Sequence, residues 1–281
     1  MSGAGTITIG GDLAVDRLGF GAMRITGPGI WGPPSDPAGA VALLRRAVEL
    51  GVDFIDTADS YGPHVSEELI ATALAPYDGV VVATKGGLTR SGPGAWGVDG
   101  RPERLRAALE GSLRRLAVEQ IDLYQLHRPD PAVPFEDSLG VLVEAQQAGK
   151  IRHIGLSNVT AGELEQALAI AEIVSVQNRY SALDRGSQAV LDACTQRGIA
   201  FIPWFPLAAG EATEADTLAQ LAHSHGASPG QIALAWLLAV SPVMVPIPGT
   251  SQIAHLEENV AAADIVLSVA EVEALSHQAA P

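Results

Sequence analysis

Four polar residues of the sequence stand where short apolar runs end, and their types suit proton transfer. Asp56 ends one run and is followed by Tyr61 in DTADSY. Lys85 ends VVVATK, and His127 ends DLYQLH. Each residue also has a purely structural interpretation: Asp56 as the cap of a turn, Tyr61 as a packed ring, Lys85 as a solvent-exposed charge at the rim, and His127 as a hydrogen-bonded loop histidine. Together, a carboxylate, a phenol, an ammonium and an imidazole predict a site that donates a proton to a carbonyl oxygen.

The phenol is the acid of this set, and the lysine is expected to adapt it to neutral pH. A free phenol has a pKa near 10, so it is a poor acid at pH 7. A lysine cation about 4 Å away contributes roughly 4 kcal/mol at an effective dielectric constant of about 20, or about three pKa units, and burial opposes part of that shift. We expect Asp56 to keep Lys85 protonated and His127 to orient the carbonyl oxygen. Side chains do not supply hydride, so a reduction at this site needs a cofactor.

The elements that must position these residues alternate along the chain. Eight short apolar or β-branched runs read as strands: Leu18–Ala22, Val52–Ile55, Val80–Thr84, Ile121–Leu126, His153–Leu156, Ile173–Val176, Ala200–Pro203 and Val243–Ile247. Eight strands alternating with helices predict an α/β fold of the (β/α)8 or TIM barrel class, in which the carboxyl ends of the strands meet at one mouth. A doubly wound open sheet is the alternative, although it usually has fewer strands at this length.

Helix signals lie between these runs. Asp36-Pro37 predicts a helix that extends to about Leu50, because a capping side chain precedes a proline at the first helical position. Pro102 predicts a helix to about Leu116, and Ser228-Pro229 repeats the cap-and-proline pattern before 231–240. Ser66 is predicted to cap a further helix whose first turn carries two glutamates, where the helix dipole favours them.

The first residues predict a β-hairpin. Thr6–Ile9 and Leu13–Val15 flank Gly10-Gly11, a two-residue turn that requires positive φ. Because the hairpin precedes the first barrel strand, we expect it to close the bottom of the barrel. No linker and no repeat of fixed period interrupts the sequence, so we expect one barrel domain over residues 1–281.

Composition argues against several classes of function. The chain has 17 basic and 32 acidic residues, a formal charge of −15, and no basic run that would bind nucleic acid. Its one cysteine, Cys194, excludes an intramolecular disulfide and a Cys-rich zinc site, and the alternating His223 and His225 predict a solvated helix end without metal. The amino terminus lacks the regions of a signal peptide, and the longest apolar run, Ile232–Val240, is too short to cross a bilayer. We expect a cytoplasmic globular protein that does not bind membranes.

The dinucleotide pattern G-x-G-x-x-G occurs at 27–32 and at 92–97. Both copies carry proline inside the pattern and the first is followed by two more prolines, which does not fit the start of a helix. We interpret them as loops on the catalytic face of the barrel. They present Trp31 and Trp96 either to substrate or to local packing, and both interpretations stay open.

The sequence resembles the aldo-keto reductase superfamily over nearly its whole length. The matching segments, in order, are LGFGAM at 18–23, DTADSYG at 56–62, TKGG at 84–87, DLYQLHRPD at 122–130, GLSN at 155–158, VQNRYS at 176–181 and IPGTSQIAHLEEN at 247–259. The resemblance implies a (β/α)8 barrel that binds NADP(H) in an extended form, reduces a small carbonyl compound and acts as a monomer. It also implies a catalytic tetrad of Asp56, Tyr61, Lys85 and His127, with Tyr61 as general acid and His127 as the orienting or relay group.

The same resemblance implies which residues hold the cofactor. Ser157, Asn158 and Gln177 match the contacts of the nicotinamide carboxamide, and Trp204 matches the aromatic that stacks on the ring. Phe205 stands where a serine is common, at the start of the stretch that crosses the pyrophosphate. The other matching positions are Gly21, Met23, Asp56, Pro206, Leu207, Thr250, Ser251, Glu258 and Asn259.

The segment after the last strand departs from the family at the 2′-phosphate. The usual lysine and arginine fall on Gly249 and His255, which we keep as cofactor positions. Thr250 and Ser251 remain as neutral donors, and a helix N-terminus can add backbone N–H groups. NADP(H) remains the favoured cofactor and NAD(H) the alternative.

Several loop segments are similar to a narrower bacterial group, the pyridoxal reductases: GPGIWGPPSDP at 27–37, YGPHVSEE at 61–68, GLSNVT at 155–160 and PGTSQIAHLEEN at 248–259. This similarity implies reduction of pyridoxal to pyridoxine, with Trp31 and Trp96 flanking the aromatic ring. Two other functions stay open. A cofactor-sensing interaction subunit would show little turnover, and a barrel lyase would use Lys85 to form a Schiff base.

Overall fold

Strands and helices alternate through the computed structural model, which describes residues 3–207 and 216–277. The strands of these ranges are β1 (Thr6–Ile9), β2 (Leu13–Asp16), β3 (Phe20–Gly21), β4 (Phe54–Asp56), β5 (Val81–Gly86), β6 (Leu88–Gly92), β7 (Ala95–Val98), β8 (Ile121–Leu126), β9 (Ile151–Ser157), β10 (Ile173–Gln177) and β11 (Ala200–Phe201). The α-helices are α1 (Pro37–Glu49), α2 (Val65–Leu74), α3 (Pro102–Leu116), α4 (Phe135–Gln147), α5 (Ala161–Leu168), α6 (Gln188–Arg197), α7 (Asp216–His225), α8 (Pro229–Val240), α9 (Ile253–Ala261) and α10 (Val269–Ser276). Short 3-10 helices cover Ala22–Ile25 and Ala262–Asp264.

A parallel sheet forms the barrel wall, with seven strands in the order β3-β4-β5-β8-β9-β10-β11. The strands follow one another in chain order, and helices lie between most of them. An open doubly wound sheet would reverse its strand order at a switch point, and this sheet does not. The predicted (β/α)8 class is therefore confirmed. Because all seven strands are parallel, their carboxyl ends open on one mouth, where the register sets Lys85 beside Gln125.

The eighth predicted strand, 243–247, closes the barrel without a regular ladder. Toward β11, its backbone exchanges two hydrogen bonds of 2.8 Å with Phe201. Toward β3, the carbonyls of Pro246 and Pro248 accept hydrogen bonds of 3.0 and 3.3 Å from two glycines. The prolines have no N–H to donate in return, so this seam holds only half of a ladder. The segment occupies the predicted place, but the prediction that it is a regular strand was wrong.

The predicted amino-terminal hairpin is present and closes the bottom of the barrel. β1 and β2 pair antiparallel, and both turn glycines have positive φ, 62° at Gly10 and 83° at Gly11. Ile9, Leu13 and Val15 are buried in one cluster with residues of the barrel wall: Phe54, Ala83, Leu123, Val174, Ala200, Ile202, Val245 and Ile247. The apolar face of the hairpin thus completes the barrel core, which confirms the prediction.

The helix caps agree with the sequence with one exception. The side chains of Asp36 and Ser228 accept the backbone N–H three residues on, at 2.9 and 3.3 Å. Ser66 is not a cap, because α2 begins directly after His64. Ser66 is buried in the first turn instead, where its hydroxyl donates to the carbonyl of Ala22 at 3.1 Å. The two glutamates predicted for that turn are there.

Neither glycine motif begins a helix. The segment 27–32 is a tight loop closed by a 2.9 Å hydrogen bond from the Gly27 N–H to the Gly32 carbonyl. The segment 92–97 is the turn of the hairpin formed by β6 and β7, with Gly94 at φ 68°. Within residues 3–207 and 216–277, no helix is long and apolar enough to span a membrane.

Candidate active site

Lys85 and Asp56 form an ion pair at the mouth of the barrel. Asp56 ends β4, and Lys85 is the next-to-last residue of β5, which runs parallel to β4 with Ala83 opposite Asp56, so both side chains lie near the carboxyl ends of the strands. The Lys85 Nζ lies 2.7 Å from Asp56 Oδ1 and donates a second bond of 2.8 Å to the carbonyl of Thr57. The Lys85 side chain is 0% exposed and that of Asp56 2%. A charge this deep is tolerated only when it is paired and hydrogen-bonded, as this one is.

Two amides hold the other oxygen of Asp56. Gln177 at the end of β10 donates to Asp56 Oδ2 at 2.8 Å, and Gln125 in β8 donates at 3.2 Å. Gln125 is fully buried, and its Oε1 has no hydrogen-bond partner among the described residues. Gln125 was not predicted from the sequence, although a glutamine inside an apolar strand was an available signal. The carboxylate is thus fixed on both sides, which orients it toward Lys85.

Tyr61 lies over this pair on the loop after β4. The centroid of its ring is 5.2 Å from the Lys85 Nζ. The His127 ring meets it edge-on at a centroid distance of 5.8 Å, and the Trp96 ring does so at 6.4 Å. The structure therefore brings all four residues of the expected tetrad together. It also sets one of the two candidate substrate tryptophans against the phenol.

Burial dominates the protonation of the site. It raises the pKa of Tyr61, and the nearby Lys85 charge only opposes that rise. The expectation from the sequence that Lys85 lowers the pKa of Tyr61 overall is therefore wrong in sign for the free enzyme. Burial is also the largest influence on Lys85 and works to lower its pKa, but Asp56 and Tyr61 together outweigh it and the pKa is raised. The pKa of His127 lies well below its usual value because of burial, Lys85 and Arg128, so the imidazole is neutral at pH 7.

A second cluster adjoins the tetrad on the carboxyl ends of β9 and β10. Asn158 adopts a left-handed conformation, φ 58°, and its amide nitrogen donates to the His127 carbonyl and to Ser157 Oγ, each at 2.9 Å. Trp204 Nε1 donates to Asn158 Oδ1 at 3.2 Å. The backbone N–H of Asn158 donates to the carbonyl of Gln177 at 3.0 Å. The four residues expected to hold a nicotinamide ring are thus one connected group, which we call the Asn158 cluster.

The backbones of Gly21 and Gly249 touch on the side of the mouth nearest the barrel seam. A Cβ added at Gly249 would come within 2.6 Å of the Gly21 carbonyl oxygen, so a lysine does not fit at 249. The exposed Arg24 passes beside this point, with its Cγ 3.6 Å from the position of that added Cβ. Met23, next to it, is half-buried. Arg24 is a cation near the missing lysine that the sequence analysis did not single out.

The remaining residues that the sequence predicts as cofactor contacts lie along two segments. Thr250 is buried and accepts the Gln252 N–H at 3.1 Å just before α9, while Ser251 and His255 are exposed. On α9 itself, Glu258 is half-buried and Asn259 is buried. The other segment follows Trp204, where Phe205 has φ 61°, Pro206 is buried and Leu207 is half-buried. Residues 208–215, which continue it, lie outside the described ranges.

The two tryptophan loops meet above Tyr61. The Gly94 N–H donates to the Gly29 carbonyl at 2.9 Å, which joins the loop 27–32 to the β6–β7 hairpin. The Arg90 guanidinium lies 3.7 Å from the centroid of Trp96 and 5.8 Å from that of Trp31. Both tryptophans are therefore at the mouth, with a cation between them. Arg90 is another residue that the sequence analysis missed.

Comparison with known proteins agrees with this geometry. The sequence profile of the Aldo/keto reductase family matches residues 17–279. An uncharacterized oxidoreductase of Schizosaccharomyces pombe is 51% identical over 268 residues, covering 95% of this chain and 87% of the relative. Pyridoxine 4-dehydrogenase of Escherichia coli is 45% identical over 271 residues, covering 94% of each chain.

Solved structures of aldo-keto reductases have the same fold as this chain. A thermostable aldo-keto reductase in complex with the inhibitor epalrestat superposes with a TM-score of 0.85 at 33% identity, covering 97% of this chain and 98% of the other. An aldo/keto reductase from Klebsiella pneumoniae in complex with NADP and acetate gives a TM-score of 0.82 at 27% identity, covering 97% and 94%.

Proposed function

The chain belongs to the aldo/keto reductase family, and we propose that it reduces an aromatic aldehyde, pyridoxal to pyridoxine, with NADPH as the hydride donor. The observation that carries the proposal is the buried Lys85, paired with Asp56 at 2.7 Å and set 5.2 Å from the ring of Tyr61. A phenol beside a permanently protonated amine is an acid that can release its proton without leaving an unstabilised anion.

The side chains at the mouth fit a nicotinamide dinucleotide. The Asn158 cluster offers amide and hydroxyl groups for a carboxamide and the Trp204 ring for stacking. Thr250, Ser251 and the start of α9 offer donors for phosphate, and Arg24 adds a cation. The Klebsiella relative was solved with NADP, which supports this choice of cofactor. When bound, the cofactor supplies the hydride.

The protein's own part in the reaction is a proton transfer. Tyr61 Oη gives its proton to the carbonyl oxygen, and the phenolate that remains faces the Lys85 ammonium. Asp56 keeps that ammonium charged, since burial alone would lower its pKa. The neutral imidazole of His127 has one N–H with which to hold the carbonyl oxygen in line. Its Nδ1 is shielded from solvent and has no hydrogen-bond partner among the described residues, so we assign the contact with the substrate to the other ring nitrogen, Nε2.

The side chains that form the walls of the mouth support the choice of an aromatic aldehyde as substrate. Trp31 and Trp96 flank the entrance to Tyr61, and flat aromatic rings pack well against such side chains. The 45% identical relative carries the name pyridoxine 4-dehydrogenase, which supports the pair of pyridoxal and pyridoxine.

The lyase alternative fits less well. A Schiff base forms from a neutral amine, and such lysines are activated by a lowered pKa. Lys85 has a raised pKa, and its ammonium already donates to Asp56 and Thr57.

The test is an absorbance assay at 340 nm with purified protein, in which NADPH and NADH are compared with pyridoxal and with unrelated aldehydes. We expect NADPH to be oxidised faster than NADH. We expect Tyr61→Phe to lower kcat by about 10²–10⁴-fold, the usual contribution of a general acid. Tyr77→Phe is the matched control, because Tyr77 donates to the Leu116 carbonyl at 2.7 Å outside the site. Equal rates for Tyr61→Phe and wild type would refute the assignment of Tyr61 as the general acid. No turnover on any carbonyl, together with a stoichiometric protein partner, would favour the interaction subunit instead.

A further inference from the structure

Arg90 on β6 donates hydrogen bonds only to backbone carbonyls. Its Nε donates to Ala95 at 3.1 Å. One terminal nitrogen donates to Ile30 at 2.6 Å and Ser60 at 3.2 Å, and the other to Gly29 at 2.7 Å and Gly92 at 3.3 Å. A guanidinium has five N–H donors, so the side chain uses its full capacity on these five acceptors.

The five carbonyls belong to three separate loops. Ile30 and Gly29 lie in the loop that carries Trp31, while Gly92 and Ala95 lie in the hairpin turn that carries Trp96. Ser60 directly precedes Tyr61, the proposed acid. One side chain thus ties both tryptophan loops to the loop of the phenol.

Stacking strengthens this attachment. The guanidinium lies 3.7 Å from the centroid of the Trp96 ring, closer than any other cation-to-ring contact among the described residues. Trp96 is still 43% exposed, so few other contacts restrain it. No carboxylate pairs with Arg90 in the ion pairs of the described ranges. Its charge is therefore stabilised by carbonyl dipoles and aromatic rings.

We propose that Arg90 is a positioning residue that sets the substrate specificity of this site. It holds Trp31 and Trp96 as fixed walls beside Tyr61, so that planar aromatic carbonyl compounds bind better than small aliphatic ones. The inference rests on the proposed reductase function and deepens it. Walls that are already in place spare the substrate the cost of ordering them, and a flat ring gains most from two aromatic faces.

The same kind of clamp occurs at the other end of the barrel and supplies a control. Arg17 donates to the carbonyls of Met244, Ala4, Leu238 and Ser241, at 3.2, 3.4, 2.7 and 2.5 Å. It lies at the barrel bottom, far from the tetrad. A purely structural role for Arg90 predicts that Arg17→Met and Arg90→Met have the same effect.

The first measurement is selectivity between 4-nitrobenzaldehyde and propanal. For Arg90→Met, we expect the ratio of the two kcat/KM values to fall at least tenfold, through a higher KM for the aromatic aldehyde. Arg90→Lys keeps the charge and up to three donors, so it should recover part of the ratio. Arg17→Met should lower the melting temperature and leave the ratio within twofold of wild type. An unchanged ratio for Arg90→Met, or equal losses on both aldehydes, would overturn the proposal.

The second measurement needs no turnover. In hydrogen-exchange mass spectrometry of the free protein, Arg90→Met should speed exchange in segments 27–32 and 92–97 by tenfold or more, and Arg17→Met should not. If wild type reduces neither these two aldehydes nor pyridoxal, the reductase proposal fails, and the specificity proposal fails with it; if it reduces pyridoxal but shows no preference for 4-nitrobenzaldehyde over propanal, only the specificity proposal fails. If wild type is active but exchange in both segments is unchanged in Arg90→Met, only the proposal for Arg90 is refuted.

Discussion

Replacing Asp56 with asparagine separates the charge of the buried pair from its shape. The side chain keeps its size, but the Lys85 ammonium loses the carboxylate 2.7 Å away while both groups stay out of water. The amides of Gln125 and Gln177 donate to the same carboxylate. Asparagine has one oxygen and one NH2, so it must leave either Lys85 or the glutamines without an acceptor.

The expected loss of stability follows from the distance between the Lys85 ammonium and the Asp56 carboxylate. Two unit charges 2.7 Å apart attract by about 6 kcal/mol at an effective dielectric constant of about 20. Removing one partner of a buried pair usually costs about 3–5 kcal/mol, because it leaves the other charge buried without a partner. We therefore expect Asp56→Asn to lower the free energy of unfolding at pH 7 by about 3–5 kcal/mol.

The Asp56→Asn variant should also reverse the pH dependence of the free energy of unfolding. In wild type the pKa of Lys85 is raised above its unfolded value, so its stabilising effect is complete below pH 10 and is lost only as pH rises through the folded pKa. Without Asp56, burial is the largest remaining influence and sets the folded pKa of Lys85 below the unfolded one. The variant then gains stability as pH rises toward about 10, by up to about 1.4 kcal/mol per pH unit. Its deficit against wild type should shrink over that range.

Urea unfolding at pH 7, 8, 9 and 10 measures this directly. Glu165→Gln is the matched control, since it breaks an exposed pair with Arg197 at 2.6 Å that is worth less than about 1 kcal/mol. A deficit for Asp56→Asn that stays constant from pH 7 to 10, or that is no larger than that of Glu165→Gln, would refute the reasoning.

Two further variants test the cofactor end and the barrel bottom. Arg24→Ala should raise the KM for NADPH about tenfold more than the KM for NADH, because Arg24 is the cation beside Gly249; equal changes for both cofactors would contradict a 2′-phosphate contact. Ile9→Ala should lower the free energy of unfolding by about 2–5 kcal/mol with little change in kcat, since Ile9 is 1% exposed in the barrel core. Thr8→Ala, on the exposed side of the same strand, is its control, and a similar loss there would argue against the hairpin as a core element.

The fold could be read from the sequence because its signals are local. Apolar runs, cap residues and the Gly10-Gly11 turn each act within a few residues, and they gave the barrel and its hairpin. The eighth strand was overestimated because its β-branched residues suggested a ladder that Pro246 and Pro248 partly prevent. Ser66 was assigned to the wrong position because a tertiary contact with Ala22 uses its hydroxyl.

The site was predictable in its residue types but not in its energetics. Asp56, Lys85 and His127 stand at or next to the ends of strands and Tyr61 follows in the loop after β4, and parallel pairing brings these ends together. The pKa of Tyr61 depends on how deeply the ring is buried, which no short motif encodes. Gln125 and Arg90 were missed for a related reason, since their partners come from strands and loops that are distant in the chain.

The hairpin under the barrel also bears on the order of events in a catalytic cycle. Among the described residues, Ile9, Leu13 and Val15 fill the lower end of the barrel, so reactants and products of the proposed reductase share the opening at the carboxyl ends of the strands. A reactant that binds deeper in that opening has to bind first and leave last. For the proposed reductase, the depths at which nucleotide and aldehyde bind therefore decide the order in which they bind and leave.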